Sequence, residues 1–192
     1  MEALKKAIRE KGVGIGNEVV KVDGFLNHRI DVALSTEMGR AFYEAFKDDQ
    51  VDCILTCEAS GIAVALTTAQ AFGNIPVVFA KKGKPLNVSD DAYTANVYSF
   101  TKQVMNTVRV DRSYLSEGMR VLVIDDFMAN GEAVNGLMNI LMQARCVCVG
   151  VGICVEKGFQ AGGRRLREAG VKYVPLAVVD AIDNGKIILR ED

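Results

Sequence analysis

The sequence is poor in several features that would mark particular classes of protein. Of its 192 residues one is histidine and three are proline, and the formal net charge is −1. A single histidine makes His-rich metal sites and Ser–His–Asp catalysis weak hypotheses. The small net charge predicts no nucleic-acid partner. No apolar run is long enough to cross a bilayer, and the first residues, MEALKK, do not resemble a signal peptide. We therefore expect a cytoplasmic protein without a membrane partner.

Cysteines are present, but their spacing argues against metal binding. None of the five forms a CxxC pair, and no histidine lies near them. Most lie inside or at the ends of apolar, strand-like runs, which predicts small buried thiols in a reducing compartment. The five are Cys53, Cys57, Cys146, Cys148 and Cys154.

The order of apolar segments predicts an α/β fold. Hydrophobic residues make up 49% of the chain, enough for one compact domain over residues 1–192. Helices are predicted first, and strands and helices then alternate. Runs that are apolar throughout, interleaved with helices, favour a parallel sheet flanked by helices on both faces. The predicted helices are residues 2–11, 32–46 with Asp31 as its cap, 61–72, 131–143 and 164–169, and the main strands are 51–57, 77–80, 121–124, 147–155, 173–179 and 186–189.

Three shorter segments have specific predictions. Residues 12–16, GVGIG, are predicted to be a flexible turn, because the third glycine of a dinucleotide loop is missing and no strand precedes it. Residues 81 to about 95 read as a long polar loop of functional interest, followed by strand-like residues 96–100 and 107–110. The basic run at residues 164–167, RRLR, is predicted to face solvent on a helix.

The strongest functional signal is VLVIDDFMANGEA at residues 121–133. A buried strand is expected to deliver Asp125 and Asp126 at its carboxyl end, where ligands of such sheets bind. The small residues that follow let backbone N–H groups approach an anion at a helix N-terminus, without the lysine of an ATPase loop. Two carboxylates would repel a phosphate. They suit the 2′- and 3′-hydroxyls of a sugar, with Mg²⁺ bridging nearby oxygens.

This segment resembles the phosphoribosyl-diphosphate signature of type I phosphoribosyltransferases. The family often has Thr or Ser where this chain has Asn130 and Ala133. The Ala-Asn-Gly variant is similar to the branch of the family that uses xanthine, and so are KVDGFLNH at residues 21–28, YSFTKQ at 98–103 and EKGFQ at 156–160. The resemblance implies that the 5′-phosphate and ribose of phosphoribosyl diphosphate bind Ala129, Asn130, Gly131, Glu132, Ala133, Asp125 and Asp126.

The same resemblance implies where the pyrophosphate binds. Its loop follows a strand at Cys57 and leads into a helix for which Ser60 is a possible cap. Lysines after the next strand would stabilise the leaving charge, and residues 98–103 resemble the family's lid, which excludes water. No dedicated nucleophile is expected, and Glu58 is a possible proton shuttle. The implied pyrophosphate-side residues are Glu58, Ala59, Ser60, Gly61, Lys81 and Lys82, with Lys84 nearby.

For the base, the resemblance implies a pocket formed by Val20, Asn27 and Lys157. Residues 1 to about 35 would form a small hood over the strand ends. The implied reaction transfers the phosphoribosyl group to N9 of xanthine, giving XMP and pyrophosphate for purine salvage. Mg²⁺ would bind mainly through the diphosphate, with no protein ligand assigned, and the enzyme would be a homodimer.

Other readings remain open from the sequence. The base could be hypoxanthine, guanine or adenine. A non-catalytic regulator that senses phosphoribosyl diphosphate is a second class, although such proteins usually carry a basic nucleic-acid module. A flavodoxin-like or Rossmann nucleotide-binding domain is a third class. The missing GxGxxG and the acids before the loop disfavour it.

Overall fold

The computed structural model describes residues 1–83, 91–99 and 104–191 of the chain. Lys84 and residues 100–103 of the predicted lid lie outside the described residues. The helices and strands, in chain order, are α1 (Glu2–Lys11), β1 (Val13–Ile15), β2 (Val19–Lys21), α2 (Val32–Phe46), β3 (Cys53–Cys57), α3 (Gly61–Ala71), β4 (Val77–Lys82), β5 (Ala92–Ser99), β6 (Val104–Asp111), β7 (Arg120–Met128), α4 (Glu132–Gln143), β8 (Val147–Lys157), α5 (Ala161–Glu168), β9 (Tyr173–Asp183) and β10 (Lys186–Leu189).

The main sheet has eight strands in the order β10-β9-β8-β7-β3-β4-β6-β5. Its five central strands, from β9 to β4, are parallel, which confirms the predicted architecture. Both edges are antiparallel instead. At one edge Asn184 and Gly185 both have positive φ and connect β9 to β10, the geometry of a two-residue hairpin turn. The strand direction therefore reverses at both sides of the parallel core.

Two hydrophobic clusters cover the two faces of the sheet. On one face α1, α2 and α3 pack through residues such as Phe42 and Val64 onto alternate strand residues, including Ile54. On the other face α4 packs through Leu137 onto neighbours such as Leu55. The alternation of Ile54 and Leu55 between faces is the period of two that a strand imposes. The ends of the strands are left free to form a site.

The observed strand β7 is longer than predicted, and this changes the position of the paired acids. Asp125 and Asp126 lie within the strand and not after it. Pairing with β8 continues through Asp125↔Ile153 and Met128↔Glu156, because β8 itself extends to Lys157. The loop before α4 is therefore shorter than predicted.

Other local predictions also needed correction. The predicted turn at residues 12–16 contains β1, which pairs with β2 as a small separate hairpin. Ser60 precedes α3 but makes no capping hydrogen bond with its side chain. Within the predicted loop from residue 81 to 95, Lys81 and Lys82 belong to β4, and β5 begins at Ala92. The predicted cap of α2 is confirmed, since the Asp31 carboxylate accepts the Leu34 N–H at 3.1 Å.

The small hairpin contacts the main sheet, and a short helical turn follows the hairpin in the chain. The Gly14 N–H donates to the Gly185 carbonyl at 2.9 Å, which joins β1 to the β9–β10 turn. A short π-helical turn, Asp23–Asn27, then leads towards α2 and ends at the carboxyl ends of the central strands. Among the helices that the structure describes, none has the length and hydropathy needed to span a membrane.

Candidate active site

The paired acids of β7 are buried at the carboxyl end of the sheet. Asp125 is 6% exposed and Asp126 is 7% exposed. The Asp126 N–H donates to Asp125 Oδ1 at 3.0 Å. Burial raises the pKa of Asp125 well above its ordinary value, and the neighbouring Asp126 charge raises it further. Two carboxylates held this close are suited to accept hydrogen bonds from a polyol or to meet a cation.

The predicted phosphate loop, residues 129–131, links β7 to α4 next to these acids. Gly131 has φ +90°, a left-handed conformation that favours glycine, and Glu132 begins the helix. Residues 129–134 line a hollow of about 180 Å³ together with Tyr98 and Phe127. A helix N-terminus with small side chains and free N–H groups in a concave surface is suited to a phosphate. Asn130, Ala133 and Glu132, all predicted to lie here, line this hollow.

The segment predicted to hold pyrophosphate lies directly beside the acids. A side chain at Gly61 would overlap Thr56 Oγ1 and come within 2.6 Å of Asp125 Oδ1, so only glycine fits there. Ala59 and Ser60 precede it in the turn from β3, and the Glu58–Ala59 peptide bond is cis. The site therefore brings two loops together around Asp125, although they are more than sixty residues apart in sequence.

The two lysines predicted on the pyrophosphate side lie on opposite faces of β4, because successive strand residues alternate. The Lys82 charge acts on Asp125, where it partly offsets the rise in pKa caused by burial. The Lys82 N–H also donates to Glu58 Oε1 at 2.6 Å. Lys81 instead lies over the Phe79 ring, 5.9 Å from its centroid. Lys82 is the lysine that faces the acids.

The predicted base-pocket residues meet the strand ends from the N-terminal segment and from β8. Asn27 Nδ2 donates to Asp126 Oδ2 at 3.2 Å. Lys157 Nζ donates to the Glu18 carbonyl at 2.8 Å, and burial lowers its pKa. Val20 is 7% exposed and packs into the hydrophobic core. Asn27 therefore touches the acid pair, while Lys157 ties the small hairpin to the end of β8.

The part of the chain that the structure describes was compared with the ligand sets that metals use. No cluster of three or more His, Cys, Asp or Glu side chains suited to a metal occurs among residues 1–83, 91–99 and 104–191. Asp125 and Asp126 are hard oxygen donors of the kind that Mg²⁺ prefers, but octahedral coordination needs further oxygens. These residues fit a Mg²⁺ ion that a diphosphate brings with it.

One part of the site was missed in the sequence. The three arginines of the basic run at residues 164–167 are exposed, as predicted, but Arg167 also pairs with the buried Glu156 at 2.8 and 2.5 Å. The Tyr173 hydroxyl donates to the same carboxylate at 3.2 Å. The spacing of Gly163 and Leu166 on a short helix does not indicate that Arg167 pairs with Glu156, eleven residues earlier in the chain. Phe127, which lines the phosphate hollow, was also not singled out.

A mostly parallel sheet whose central strand carries paired acids into a phosphate loop, with a second loop against the acids, defines a type I phosphoribosyltransferase fold. The phosphoribosyl transferase domain model matches residues 31–182. The chain therefore belongs to the phosphoribosyltransferase family, and the resemblance seen in the sequence is confirmed.

Relatives and solved structures agree with this assignment. The chain is 50% identical over 190 residues to a xanthine phosphoribosyltransferase of Clostridioides difficile, covering 99% of this chain and 100% of the relative. A xanthine phosphoribosyltransferase of Bifidobacterium adolescentis is also 50% identical, with coverage of 99% and 100%. An adenine phosphoribosyltransferase structure from Rhodothermus marinus has a TM-score of 0.73 at 21% identity, covering 93% and 97% of the two chains. At that identity the structural likeness shows the fold alone.

Proposed function

We propose that this chain is a xanthine phosphoribosyltransferase, which transfers the phosphoribosyl group of phosphoribosyl diphosphate to N9 of xanthine and releases pyrophosphate. The observation that carries the proposal is the contact of Asn27 with Asp126 at 3.2 Å, since it makes a base-side amide adjoin a sugar-side carboxylate. A site for joining base to ribose needs that adjacency. The choice of xanthine is supported by relatives named for it at 46–50% identity over 95% or more of this chain.

The residues divide the substrate between them in the following way. Ala129, Asn130, Gly131, Glu132 and Ala133 hold the 5′-phosphate, with Glu132 contributing its backbone N–H because its carboxylate would repel the ligand. Asp125 and Asp126 accept the ribose hydroxyls. The pyrophosphate side is formed by Glu58, Ala59, Ser60, Gly61 and Lys82. Lys81 was predicted on the same side, but it contributes less because it lies over the Phe79 ring and faces away from the acids.

The chemistry is a displacement at C1 of the ribose. The bond from C1 to the pyrophosphate oxygen breaks with its electron pair on the departing oxygen, N9 of the base forms the new bond to C1, and the proton that the base loses passes to solvent. The chain's residues orient the two reactants and stabilise developing charge, so no nucleophile from the protein is needed. Glu58 Oε1 is held by the Lys82 N–H, and its role as a proton shuttle stays a prediction.

Mg²⁺ belongs to the proposal as an ion bound mainly through the diphosphate. When bound, it would neutralise part of the diphosphate charge and favour its departure. The chain's contribution would be the pair Asp125 and Asp126, directly or through water. The expected cofactor is thus consistent with a site that offers two carboxylates and needs the substrate's oxygens for the rest.

A homodimer and a cytoplasmic location complete the proposal. A hollow of about 530 Å³ is lined mainly by apolar groups of residues 76–79 and Tyr114, with Lys81 and Ser113, and offers surface for a second copy. All five cysteines are free thiols, which favours a reducing compartment. Sedimentation over a range of protein concentrations measures the oligomeric state, and a single monomeric species would contradict the dimer.

The decisive test is steady-state turnover with phosphoribosyl diphosphate and Mg²⁺, supplying xanthine, guanine, hypoxanthine or adenine in turn. We expect pyrophosphate release to be fastest with xanthine and to be lost in the double variant Asp125→Asn/Asp126→Asn. Faster turnover of another base would change the substrate within the same reaction. Absence of pyrophosphate release with every base would overturn the enzymatic function and favour a protein that only senses the diphosphate.

A further inference from the structure

Glu156, near the end of β8, has an environment that the proposed reaction does not explain. It is 1% exposed. Arg167 donates from Nη1 and Nη2 to its two oxygens at 2.8 and 2.5 Å, and Tyr173 donates at 3.2 Å. The Arg167 guanidinium also lies 4.9 Å from the centre of the Tyr173 ring. A buried carboxylate persists only when it is paired this completely, so the three side chains act as one unit.

This unit fixes α5, the helix that carries Arg167. Gly163, in the first turn of α5, packs so tightly against Glu156 that a Cβ there would overlap the carboxylate. Arg167 holds the same carboxylate one turn further along, so the helix is fixed to β8 at two points. Arg164 of the same helix is more exposed than Arg167 and lies 3.9 Å from Glu168.

The same helix touches the phosphate loop. The Gly162 N–H donates to the Ala129 carbonyl at 3.0 Å. A Cβ on Gly162 would lie 2.8 Å from the Gly131 N and 2.6 Å from Met128 Sδ, so the backbone of α5 packs directly behind the loop. The Ala129 carbonyl is thereby held on the far side, which leaves the N–H groups at the start of α4 for the ligand.

β8 itself does not depend on this helix for its position. Glu156 pairs with Met128 on one side and Val178 on the other, and Lys157 pairs with Val179. Loss of the Arg167 contact would therefore release α5 and the loop it supports, while the strand that carries Lys157 stays in the sheet.

We propose that Arg167, through Glu156 and Tyr173, is a positioning residue for the phosphate loop and hence for the 5′-phosphate end of the substrate. The inference rests on the proposed function, because it assumes that the loop binds the 5′-phosphate. It predicts a selective defect: the 5′-phosphate is held less well, while the pyrophosphate loop at residues 58–61, on the other side of Asp125, keeps its affinity.

Two probes separate these ends of the substrate without requiring turnover. Ribose 5-phosphate reports on the phosphate loop, and pyrophosphate with Mg²⁺ reports on the other loop. In calorimetric titrations Arg167→Met should weaken ribose 5-phosphate binding on the order of tenfold, since a displacement of about 1 Å is enough for effects of that size or larger. Pyrophosphate affinity should change by less than about twofold, because the contacts of α5 described above are with the phosphate loop and not with residues 58–61.

The control is Arg164→Met, which removes the same charge from the same helix without touching Glu156. It should leave both affinities unchanged. Arg167→Met leaves Glu156 buried without its charged partner, with only the Tyr173 hydroxyl described above still donating to it. The double variant Glu156→Gln/Arg167→Met is therefore tested beside it, because it removes the buried charge and keeps the protein folded if the single variant is too unstable. Arg167→Lys, which retains charge but not the planar fork, should lie between wild type and Arg167→Met.

The kinetic counterpart is a rise in KM for phosphoribosyl diphosphate in Arg167→Met with little change in KM for xanthine. Unchanged ribose 5-phosphate affinity in the folded variants would overturn the inference. An equal loss of both probes would do the same, since it would indicate general loosening. A wild-type protein that binds neither probe contradicts the proposed function, and a wild-type enzyme with variants like wild type contradicts only the positioning role.

Discussion

Asp125 combines a proposed role in binding ribose with an unfavourable electrostatic environment. Burial and the neighbouring Asp126 raise its pKa, so the folded protein holds this proton more tightly than the unfolded chain does. For an acid of this kind, stability is fully present below the unfolded pKa and is lost as the pH rises towards the folded pKa. Asp125→Asn should therefore unfold at a higher temperature than wild type near pH 8, and the difference should shrink towards pH 4.

The same variant should lose turnover by a factor of about ten to a hundred, the value of a hydrogen bond to a charged group. Asn keeps an oxygen for the Asp126 N–H, so the backbone contact at 3.0 Å can persist. Thermal melts from pH 4 to 8 measure the change in unfolding temperature, with Asp48→Asn, at an exposed position, as the control. A variant that is less stable than wild type at pH 8 would contradict the predicted cost of this carboxylate.

Asn27 can be tested by selective loss of the base. Asn27→Ala removes the amide that contacts Asp126 and that is proposed to read xanthine. We expect kcat/KM for xanthine to fall about tenfold, the effect of one lost hydrogen bond. Ribose 5-phosphate affinity should stay within about twofold, because the phosphate loop is untouched. Full retention of xanthine turnover would remove Asn27 from the base pocket.

The phosphate loop, as an element, depends on one backbone conformation. Gly131 has φ +90°, and a Cβ there would lie 3.2 Å from Gly162 Cα. Gly131→Ala should lower the free energy of unfolding by about 1–3 kcal/mol and also weaken ribose 5-phosphate binding. Gly118 provides a matched control, since it has φ +80° with open space around its Cβ position.

Gly118→Ala should show a similar loss of stability in urea denaturation but unchanged binding of ribose 5-phosphate. If both variants bind as wild type does, the loop conformation is not what holds the phosphate. If both lose binding equally, the effect comes from reduced stability and not from the loop.

The elements that sequence predicts well are those with local signals. α1 and β10 have the predicted bounds, because Gly12 ends the helix and the Asn184-Gly185 turn comes directly before the last strand. The first half of β5, residues 92–95, was assigned to a loop, although Tyr93, Ala95 and Val97 alternate inward. Its polar outer residues hid that period, and its packing partner, α4, lies forty residues further along the chain.

Candidate-site residues follow the same rule. The acids and the phosphate loop are contiguous, so order along the chain predicts them. Contacts that only the fold creates were not predictable: Gly61 against Asp125, and Arg167 on Glu156. The opposite facing of Lys81 and Lys82 follows from strand alternation. It could have been predicted only if β4 had been expected to continue past Ala80.

At the scale of the whole molecule, the proposed site lies at the carboxyl ends of the strands, and the hydrophobic core that stabilises the fold lies between the sheet and the helices. Phe42 of α2 is fully buried and packs over Gly152 of β8, where a Cβ would lie 2.7 Å from the ring. Glycine at this central strand position lets the aromatic ring approach the sheet closely. Phe42 shares this hydrophobic cluster with Val20, but it packs on the sheet and is not itself among the residues proposed to bind substrate.

Phe42→Ala should therefore separate stability from activity. We expect the free energy of unfolding to fall by about 3–5 kcal/mol, the usual cost of a buried Phe-to-Ala cavity, while kcat at temperatures well below the transition stays near wild type. Val32→Ala, at a position 70% exposed on the same helix, is the control and should change neither.

Urea denaturation followed by both circular dichroism and tyrosine fluorescence also tests the expected single domain. Coincident transitions support one cooperative unit over residues 1–192, whereas separate transitions would show that the hood unfolds independently.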